Sequence, residues 1–483
     1  MARRVQRKFF VRLSAFNVYL NDYPEAGSTL IYNTFSGGFV SLDASALAVL
    51  RKADAGAELD ASERELIDPE FFDESVGILT EGRAAEEQAW RTHHERWRSS
   101  ARLDVILSTT FACNFDCSYC CQSDVLDGHV MSTETAARTA EWLARRANEI
   151  GAREIRIDFI GGEPLLQPKR VEQIVRELAG LIEGTGIRVR FGLITNGYFL
   201  TPELVDRWVP LGLSRAQVTL DGDETTHDIT RRSRKKGENT FQTIFDNVIA
   251  ASKRITVNVN GNYQLNTVHG FIPLIHKLKE AGMPAGTRVH FSPAVEMLGA
   301  PTDTGSGACN WGGSAPEYMV PLSDEARRAG FSPSDVTTIG PCAFHRRHSY
   351  SIDPSGNIYK CPGFLGKTEW AVGHVTAGLS ERYDRLASAN PQRLCGSCAH
   401  RPSCSGGCVA EAWVKAGRAE GVNCEIEYFQ SKALEDQLKR KHALATHDTV
   451  EEALALFPRR SIEPRTDVVQ RRGPSLSLRV LAA

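Results

Sequence analysis

Three cysteines on one short segment are the first residues of this chain that could do chemistry. Cys113, Cys117 and Cys120 have the spacing C-x3-C-x2-C in the string CNFDCSYC, directly after an apolar run typical of a β-strand. Three thiolates on one loop can hold three irons of a cubic 4Fe–4S cluster, and the fourth iron then stays open to a small molecule. A zinc site completed by Cys121 or a distant histidine is the alternative, and the spacing by itself leaves both open.

A second and larger group of cysteines lies in the C-terminal half of the chain. Cys395 begins the pattern C-x2-C-x5-C-x3-C, and Gly356 is followed after four residues by Cys361. The seven cysteines of this group are Cys342, Cys361, Cys395, Cys398, Cys404, Cys408 and Cys424. Because C-x2-C pairs also bind zinc, a zinc-ribbon-like fold is the alternative for this region. Cys309 stands apart from both groups.

Composition and charge restrict the class of protein. The chain has 483 residues, of which 42% are hydrophobic and 24% charged, and its formal net charge is −2 at pH 7. This balance is typical of a soluble globular protein without a basic footprint, so we expect no nucleic-acid partner. No run of about 18 apolar residues is present, so we expect no membrane partner. The basic start lacks the apolar stretch of a secretory signal, which predicts a cytoplasmic location. Because a cytoplasmic location keeps thiols reduced, the twelve cysteines indicate metal binding or catalysis and not disulfides.

Alternating strand and helix patterns must position the first cysteine group. Residues 101–300 contain six strand patterns, with helical patterns such as STETAARTAEWLARRANEI between them. The strand patterns are LDVILST, IRIDFIG, RVRFGLIT, AQVTLDG, RITVNVNGNY and TRVHFSP. Strands joined by helices predict an α/β fold with a parallel sheet, either barrel-like or open. Ligands of such sheets lie at the carboxyl ends of the strands, where the cysteine loop would be.

Three further regions flank this sheet. Residues 1–100 form a small α+β module in which STLIYNTFSGGFVSLD is a hairpin turned at Ser36-Gly37-Gly38, and a polar helical linker follows. Residues 301–430 are rich in Gly, Ser, Pro and Cys and lose regular periodicity, so we expect metal clusters to order them. Residues 431–483 begin as a helix and end in an Arg- and Pro-containing tail. We therefore expect four domains, at 1–100, 101–300, 301–430 and 431–483.

Polar and glycine residues follow three of the strand patterns directly. GGEP comes after the second strand, TNG after the third and LDGDETTHDITRR after the fourth. The glycines allow the backbone to approach a ligand closely, and Glu163 can pair with an ammonium group. The alternatives are an ordinary strand-end turn for GGEP and a solvated basic loop for RRSRKKG. The candidate residues are Gly161, Gly162, Glu163, Thr195, Asn196 and Arg231.

The first cysteine loop, with Tyr119 before its last cysteine, resembles the signature of the radical S-adenosylmethionine (SAM) superfamily. The resemblance implies a partial (β/α)6 TIM-like barrel in which Cys113, Cys117 and Cys120 are the catalytic cluster ligands. It implies that the open iron binds the amino and carboxylate groups of SAM, and that the reduced cluster cleaves SAM to methionine and a 5′-deoxyadenosyl radical. Arg231 would reach the SAM carboxylate as a charge-assisted pair. The cofactor-binding residues implied are Tyr119, Gly161, Gly162, Glu163, Thr195, Asn196 and Arg231.

The seven-cysteine arrangement resembles the SPASM domain, a cysteine-rich C-terminal extension of some radical SAM enzymes. The resemblance implies two auxiliary 4Fe–4S clusters, and therefore three clusters in the whole chain. The outer cluster would be held by Cys395, Cys398, Cys404 and Cys424, and the inner one by Cys342, Cys361 and Cys408. Cys309 either completes the inner site or is an ordinary buried thiol, in which case one iron is open. Cys121 is expected to be a packing residue or a bystander.

The resemblance also implies a substrate class, because SPASM enzymes mostly act on peptides or proteins. The N-terminal module resembles the small winged-helix-like recognition domains of peptide maturases, which add a leader peptide as an edge strand. A structural cap on the barrel is the alternative. We therefore predict a maturase that takes hydrogen from a ribosomally made precursor peptide. It would install an oxidative modification such as a thioether or a carbon–carbon crosslink, with flavodoxin or ferredoxin as electron donor.

Two other functions remain as alternatives. One is an anaerobic sulfatase-maturating enzyme that forms formylglycine. In that family an aspartate follows the cysteine of the Gly-x4-Cys motif, whereas this chain has Pro362 there. The other is a metal- or iron–sulfur-binding protein without catalytic activity. An assay for SAM cleavage distinguishes this protein from an enzyme.

Overall fold

The computed structural model describes residues 12–66, 76–294, 315–338, 340–389, 391–417, 421–460 and 462–463. Its N-terminal part is an α+β module. The elements of the module are β1 (Arg12–Leu13), β2 (Asn17–Asn21), β3 (Ser28–Asn33), β4 (Phe39–Asp43), α1 (Ala44–Asp54), α2 (Ala61–Glu65), β5 (Leu79–Thr80) and α3 (Arg83–Arg98). Strands β2, β3 and β4 form an antiparallel meander, and β1 pairs with β5.

The hairpin turn between β3 and β4 forms around one asparagine. The Oδ1 of Asn33 accepts hydrogen bonds from the backbone N–H of Phe35 at 3.0 Å and of Ser36 at 2.9 Å. Gly37 has φ +81°, a conformation that glycine adopts without strain. A side chain that bonds backbone two residues on is a common turn device, so the turn predicted at residues 36–38 is confirmed.

Six parallel strands and their helices form the central part of the molecule. Its elements are β6 (Arg102–Ser108), β7 (Phe115–Cys117), α4 (Thr133–Glu149), β8 (Glu154–Ile160), α5 (Pro168–Leu181), β9 (Arg188–Thr195), α6 (Pro202–Trp208), β10 (Leu213–Thr219), α7 (His227–Thr230), β11 (Arg231–Ser233), α8 (Phe241–Ser252), β12 (Thr256–Tyr263), α9 (Phe271–Glu280) and β13 (Arg288–Pro293). The strand order is β6-β8-β9-β10-β12-β13, and every neighbouring pair is parallel. The predicted partial (β/α)6 barrel is therefore confirmed.

Each barrel strand has an apolar face toward the helices and a polar face toward the interior. In β8, Ile155, Ile157 and Phe159 are fully buried in the main core, whereas Arg156 and Asp158 alternate with them. Side chains of a strand point alternately to its two faces, so the polar positions face the lumen of the barrel. The lumen is consequently polar, with Arg156, Asp158, Arg190, Arg215, Gln217, Asn258, Asn260, Asn262 and His290 on its wall.

The cysteine-rich region continues the barrel sheet. Its elements are α10 (Ala315–Arg328), β14 (Ser332–Pro333), β15 (Ser349–Ile352), β16 (Asn357–Tyr359), β17 (Gly373–His374), β18 (Gly378–Leu379), α11 (Glu381–Ser388), α12 (Arg401–Cys404), α13 (Val409–Ala416), α14 (Ile426–Phe429), α15 (Lys432–Thr446) and α16 (Val450–Ala455). Strand β14 pairs with β13 at one edge, and β15 pairs in parallel with β6 at the other. The region is thus anchored to both edges of the barrel sheet.

Helix α10 is an element that the sequence patterns did not predict. It contains Pro321 in its interior, and proline usually marks the end of a helical pattern. The helix nevertheless forms because Met319 and Leu322 are almost fully buried in the main core, where α10 packs on β13 and α15. Tertiary packing therefore overrides the local signal here.

The N-terminal module packs against the C-terminal helix rather than standing alone. Leu20, Leu30 and Tyr32 of its sheet form one apolar cluster with Leu434 and Leu438 of α15. The predicted helix at the start of residues 431–483 is confirmed, and the tail beyond residue 463 lies outside the described residues. The four predicted domain boundaries stay predictions.

Helix α3 is more than the linker that its polar sequence suggested. Trp90 and Arg98 of this helix are buried. The Nε1 of Trp90 donates to Oε1 of Gln392 at 3.2 Å, and Nη1 of Arg98 donates to the carbonyl of Ala389 at 3.0 Å. The helix therefore ties the N-terminal module to the cysteine-rich region. None of the helices in the described ranges combines the length and apolar character needed to cross a bilayer.

Candidate functional site

The first cysteine loop leaves the carboxyl end of β6 and is fixed by a short strand pair. Strand β7 pairs antiparallel with β11, so that Cys117 and Arg231 are direct partners although 114 positions separate them. The backbone N–H of Ser118 donates to the carbonyl of Thr230 at 3.0 Å, which extends this pairing. The strand pair therefore brings the predicted carboxylate-binding arginine beside the cluster ligands.

The GGEP turn after β8 lies directly against the cysteine loop. The backbone N–H of Gly162 donates to the carbonyl of Thr110 at 3.0 Å, and that of Glu163 to the carbonyl of Ala112 at 2.8 Å. A Cβ on Gly162 would lie 2.1 Å from the Ala112 oxygen. The close backbone approach that Gly162 permits is thus to the loop that carries Cys113.

Glu163 joins the ends of two strands to the same loop. Its carboxylate is fully buried and accepts hydrogen bonds from Oγ1 of Thr195 at 2.7 Å and from the backbone N–H of Asn196 at 2.8 Å. Burial raises the pKa of the Glu163 carboxyl, and these hydrogen bonds oppose the rise. The Nδ2 of Asn196 donates in turn to Oδ1 of Asn114 at 2.8 Å. The structure therefore brings together the predicted residues of GGEP, TNG and the cysteine loop.

A buried polar network surrounds Arg231. Its Nη1 donates to the hydroxyl of Tyr119 at 2.9 Å, and that hydroxyl donates to the carboxylate of Asp221. Asp221 is fully buried and also accepts from the backbone N–H of Asn262 at 2.8 Å. The buried Nε of Arg231 has no partner within the described residues. Arg231 thus keeps a free donor with which it could bind a carboxylate.

Asp221 is a site residue that the sequence analysis missed. It lies in LDGDETTHDITRR directly after the fourth strand pattern, and that strand-end position was the available signal. Burial raises the pKa of the Asp221 carboxyl, while the nearby Arg231 guanidinium opposes the rise. Its role here is to hold Tyr119 and, through Tyr119, to orient Arg231.

The three thiols of the first loop are close enough to influence one another. Burial raises the pKa of Cys113 to about 12, and the neighbouring Cys117 and Cys120 add to this rise. Burial also raises the pKa of Cys117 to about 11, against the effect of Arg231. An iron–sulfur cluster takes thiolate ligands, so binding must displace the thiol protons. Three sulfur donors on one loop fit a 4Fe–4S cluster with one open iron.

The C-terminal cysteines separate into two groups by their mutual electrostatic effects. Burial raises the pKa of Cys361 to about 12, and Cys342 and Cys408 add to this rise. Burial raises the pKa of Cys395 to about 11, with further contributions from Cys398 and Cys424. Cys404 belongs to the second group, since Cys395 contributes to its raised pKa. The seven-cysteine resemblance assigns the same two groups to separate clusters, and that assignment stays a prediction.

The remaining two cysteines have different outcomes. Cys309 lies outside the described residues. Cys121 is exposed, which fits a bystander and not a packing residue, and it adds to the raised pKa of Cys361. Among the residues with described positions, no three Cys, His, Asp or Glu side chains converge tightly enough to hold a single metal ion. The metal ligands named from the sequence stay predictions.

Two buried residues next to the inner group gave no signal in the sequence. Lys360 is almost fully buried, and its Nζ donates to the carbonyl of Ser349 at 3.1 Å. Its charge lowers the pKa of the neighbouring Cys342 in opposition to burial. His345 lies with its Nδ1 3.5 Å from the Sγ of Cys342, and its Nε2 is 3.2 Å from the carbonyl oxygen of Ser405. His345 reaches Cys342 within one local 3-10 turn, whereas Lys360 faces Cys342 because the chain folds back.

The geometry of GGEP gives a direct test of how the loop is positioned. Gly162→Ala places a Cβ against the Ala112 carbonyl and must displace the Cys113 loop. We expect the rate of 5′-deoxyadenosine formation to fall about 100-fold, because small misplacements of reacting groups are costly. The rate is measured on anaerobically reconstituted protein. Gly180→Ala is the control, since its Cβ would meet nothing within 4 Å, and an unchanged rate in Gly162→Ala would contradict the argument.

Comparison with known proteins agrees with this arrangement. A family model described as the Radical SAM superfamily matches residues 107–276. Mycofactocin maturase MftC of Mycobacterium tuberculosis is 24% identical over 360 residues, covering 69% of this chain and 86% of that protein. GTP 3′,8-cyclase of Corynebacterium glutamicum is 34% identical over 139 residues, 28% of this chain and 35% of that protein.

A solved structure shares the fold of the chain. The structure of anSMEcpe with bound AdoMet is 15% identical, with a TM-score of 0.53, and the match covers 71% of this chain and 97% of that one. The matched family segment begins within β6, before the cysteine loop, and extends into α9. It therefore contains GGEP, TNG and Arg231 as well as the three cysteines. The chain accordingly carries a radical SAM domain, in residues 107–276.

Proposed function

We propose that this protein is a radical SAM peptide maturase that oxidatively modifies a ribosomally made precursor peptide. The observation that carries the proposal is the similarity to mycofactocin maturase, which extends over 86% of that protein and so beyond the radical SAM domain. The related fold of anSMEcpe has been solved with AdoMet and a Kp18Cys peptide, which supports a peptide as substrate. An enzyme of this class works in the cytoplasm, where its thiols stay reduced.

Residues of the first loop and its neighbours would hold the cofactors. Cys113, Cys117 and Cys120 are the ligands for the 4Fe–4S cluster, and the free Nε of Arg231 is the donor for the SAM carboxylate. When bound, the cluster and SAM supply a carbon radical that removes hydrogen from an unactivated carbon. Tyr119 and Asp221 keep the Arg231 side chain in one orientation by their hydrogen bonds. The carboxylate of Glu163 keeps the strand ends in register with the loop.

The polar lumen of the barrel would receive the peptide. Peptide backbone carries a donor and an acceptor at nearly every residue, and a bound segment must find partners for them. Asn260, Asn262 and Gln217 on the lumen wall offer amide donors and acceptors near the carboxyl ends of β10 and β12. The same wall, once closed by a peptide, would keep bulk water from the reacting carbon.

The N-terminal module would bind the leader part of the precursor. Its antiparallel sheet has β2 and β4 as its two outer strands. Within the described residues, no further strand pairs with the outer edge of either one. An extended peptide can add to such an edge through main-chain hydrogen bonds. One face of this sheet packs on α15, which would keep the module fixed while a peptide adds to the edge.

The two C-terminal cysteine groups would hold two auxiliary 4Fe–4S clusters, giving three clusters in the chain. Cys342, Cys361 and Cys408 hold the inner cluster, whose fourth ligand is Cys309 or an open position. Cys395, Cys398, Cys404 and Cys424 hold the outer one. A product radical must lose an electron to complete an oxidation, and an auxiliary cluster can accept it. A flavodoxin or ferredoxin would return electrons to the first cluster.

Mass spectrometry of a candidate precursor tests the proposed function. The reconstituted chain, SAM and a reductant are incubated anaerobically with peptides encoded by short reading frames next to its gene. We expect loss of two hydrogens per new bond in the peptide and matching 5′-deoxyadenosine. The control is the same mixture with the Cys117→Ala variant. Cleavage of SAM without change in any candidate peptide would count against the maturase, and conversion of a sulfatase peptide to formylglycine would establish the alternative.

The sulfatase-maturase alternative has less support from the site. The residue after Cys361 is Pro362, which begins a 3-10 turn at Pro362–Phe364 and has no side chain that can act as a base. The non-catalytic alternative would be established if the reconstituted chain bound iron but did not cleave SAM. We therefore retain the peptide maturase as the function that the site supports best.

A further inference from the structure

A cavity opens at the end of the barrel opposite the cysteine loop. It has a volume of about 870 Å³ and lies among the first residues of β8, β9, β10, β12 and β13. The cysteine loop follows the last residue of β6, and a seven-residue strand is about 20 Å long. The cavity is therefore separate from the predicted SAM site, although both open into the same lumen.

The wall of this cavity has a strong positive charge. Its cationic lining residues are Arg156, Arg190, Arg215, Lys253, Arg254 and Arg288, and no Asp or Glu is among its lining residues. The whole chain has a formal net charge of −2, so this concentration is local. A concave surface of one sign concentrates ions of the opposite sign.

Three of the six cations form a close pair with a carboxylate, and the other three do not. Arg215 pairs with Asp158, with its Nε 3.0 Å from Oδ1, and Arg254 pairs with Asp206. Nε of Arg190 lies 3.7 Å from a carboxylate oxygen of Glu154. Within the described residues, Arg156, Lys253 and Arg288 have no carboxylate within 4 Å, although Arg156 still favours the charged form of Asp158. The charge of the cavity that the protein does not balance therefore lies mainly on Lys253 and Arg288 and in part on Arg156.

The strand register sets two of the arginines directly side by side. Arg156 of β8 and Arg190 of β9 are paired positions in neighbouring parallel strands, and both face the lumen. Neighbouring strands are about 4.8 Å apart, and like charges opposite each other are destabilising. An anion between the two guanidinium groups would replace this repulsion by two charge-assisted hydrogen-bonding partners.

The absence of a side chain at Gly192 leaves room for the ion pair that forms the floor of the cavity. Asp158, Gly192 and Arg215 lie in one row across β8, β9 and β10. A Cβ on Gly192 would lie 2.6 Å from Oδ1 of Asp158 and 2.6 Å from Cγ of Arg215. The missing side chain lets the Asp158–Arg215 pair close over β9. The Asp158–Arg215 pair thus forms a neutral floor, and the cations without a close carboxylate partner lie around this floor.

We propose that this cavity is a binding site for a multivalent oxyanion, recognised by Arg156, Arg190, Lys253 and Arg288. Guanidinium groups match the oxygen pairs of carboxylates and phosphates, so the ligand carries several groups of one of these kinds. The volume accommodates a polyphosphate group or an acidic stretch of a peptide. The proposal does not depend on the peptide-maturase function, because it rests on the charge and shape of the cavity.

Calorimetric titration of the full reconstituted chain tests the site. The probes are inorganic triphosphate and a capped Asp-Glu-Asp-Glu peptide, and SAM is present throughout so that its own pocket is filled. We expect at least one probe to bind at low salt and to bind more weakly at high salt, because screening reduces the attraction. Binding of triphosphate alone identifies phosphate as the ligand group, and binding of the peptide alone identifies carboxylate. If neither probe binds, the proposal is wrong.

Matched variants decide whether this cavity is responsible. Arg156→Gln and Arg288→Gln should each raise the dissociation constant about tenfold, since each removes a charge-assisted hydrogen-bonding partner of the anion. Lys253→Gln changes an exposed side chain, so it gives a result even if a lumen variant folds poorly. Arg176→Gln, at an exposed arginine on α5, is the control and should bind as the parent does. Parental affinity in all three cavity variants would overturn the proposal.

Discussion

Alanine in place of Cys117 is expected to abolish the formation of 5′-deoxyadenosine and to remove about one third of the bound iron. In the proposed function the cluster that activates SAM has only three thiolate ligands, so the loss of one would leave a site that cannot retain its iron. Cys117 is also the direct partner of Arg231 in the β7–β11 pair, so it stands at the centre of the loop. Chromatography of the products and iron and sulfide analysis measure the two effects.

The control for this prediction is the neighbouring cysteine. Cys121→Ala removes a thiol that lies one residue beyond the motif and should leave both the iron content and SAM cleavage near the parental values. Folding is checked by thermal unfolding, because Cys117 is half-buried and packs against the main core. Continued SAM cleavage by Cys117→Ala would show that this loop does not hold the catalytic cluster.

Alanine in place of Cys395 is expected to unfold part of the C-terminal region while SAM cleavage continues. The segment around this cysteine has only short helices, α12 of four residues and α13 of eight, so bound metal must supply much of its order. Structural metal sites contribute on the order of 10 kcal/mol to folding. We expect loss of about a third of the iron, loss of peptide modification and increased hydrogen exchange in residues 391–424.

The same variant should loosen the N-terminal module, because that module rests on the cysteine-rich region. Trp90 bonds to Gln392, and Glu87 forms an ion pair with Arg401. Hydrogen exchange in α3 should therefore rise together with exchange in residues 391–424, whereas exchange in α4 and α5 of the barrel should not change. A variant that retains the parental exchange pattern and full iron content would show that Cys395 is not a cluster ligand.

Much of the local structure could be predicted from residue patterns. The alternation in IRIDFIG and RVRFGLIT and the helical spacing between them predict six barrel strands, all of which the structure contains. The hairpin of the N-terminal module and the helix of residues 432–446 are equally local. Helix α10 was not predicted because it contains Pro321, which usually ends a helical pattern. Packing against β13 stabilises the helix despite this proline. The pairing of β15 with β6 was missed because it joins positions 245 residues apart, such as Ser349 and Asp104.

The candidate site also contains some residues that the sequence predicts and others that only the fold reveals. The spacing of Cys113, Cys117 and Cys120 sets three thiols on one loop wherever that loop lies. Asp221 and Lys360 could not be assigned roles from the sequence, because their significance comes from what surrounds them after folding. Asp221 is fully buried against Tyr119, and Lys360 is a buried amine beside the inner cysteine group, with its pKa lowered to about 7 by burial. Burial and distance are properties of the folded chain.

The kinds of chemistry available could be read from residue types and spacing, since thiol spacing and strand-end motifs are short-range features that survive in any arrangement of the chain. Which of these residues come into contact depends on the folded molecule. The β7–β11 pair sets Arg231 beside Cys117, and the sheet register sets Arg156 beside Arg190. These pairings depend on strand order and register. Burial of the apolar faces of the whole barrel fixes both, and no local segment does.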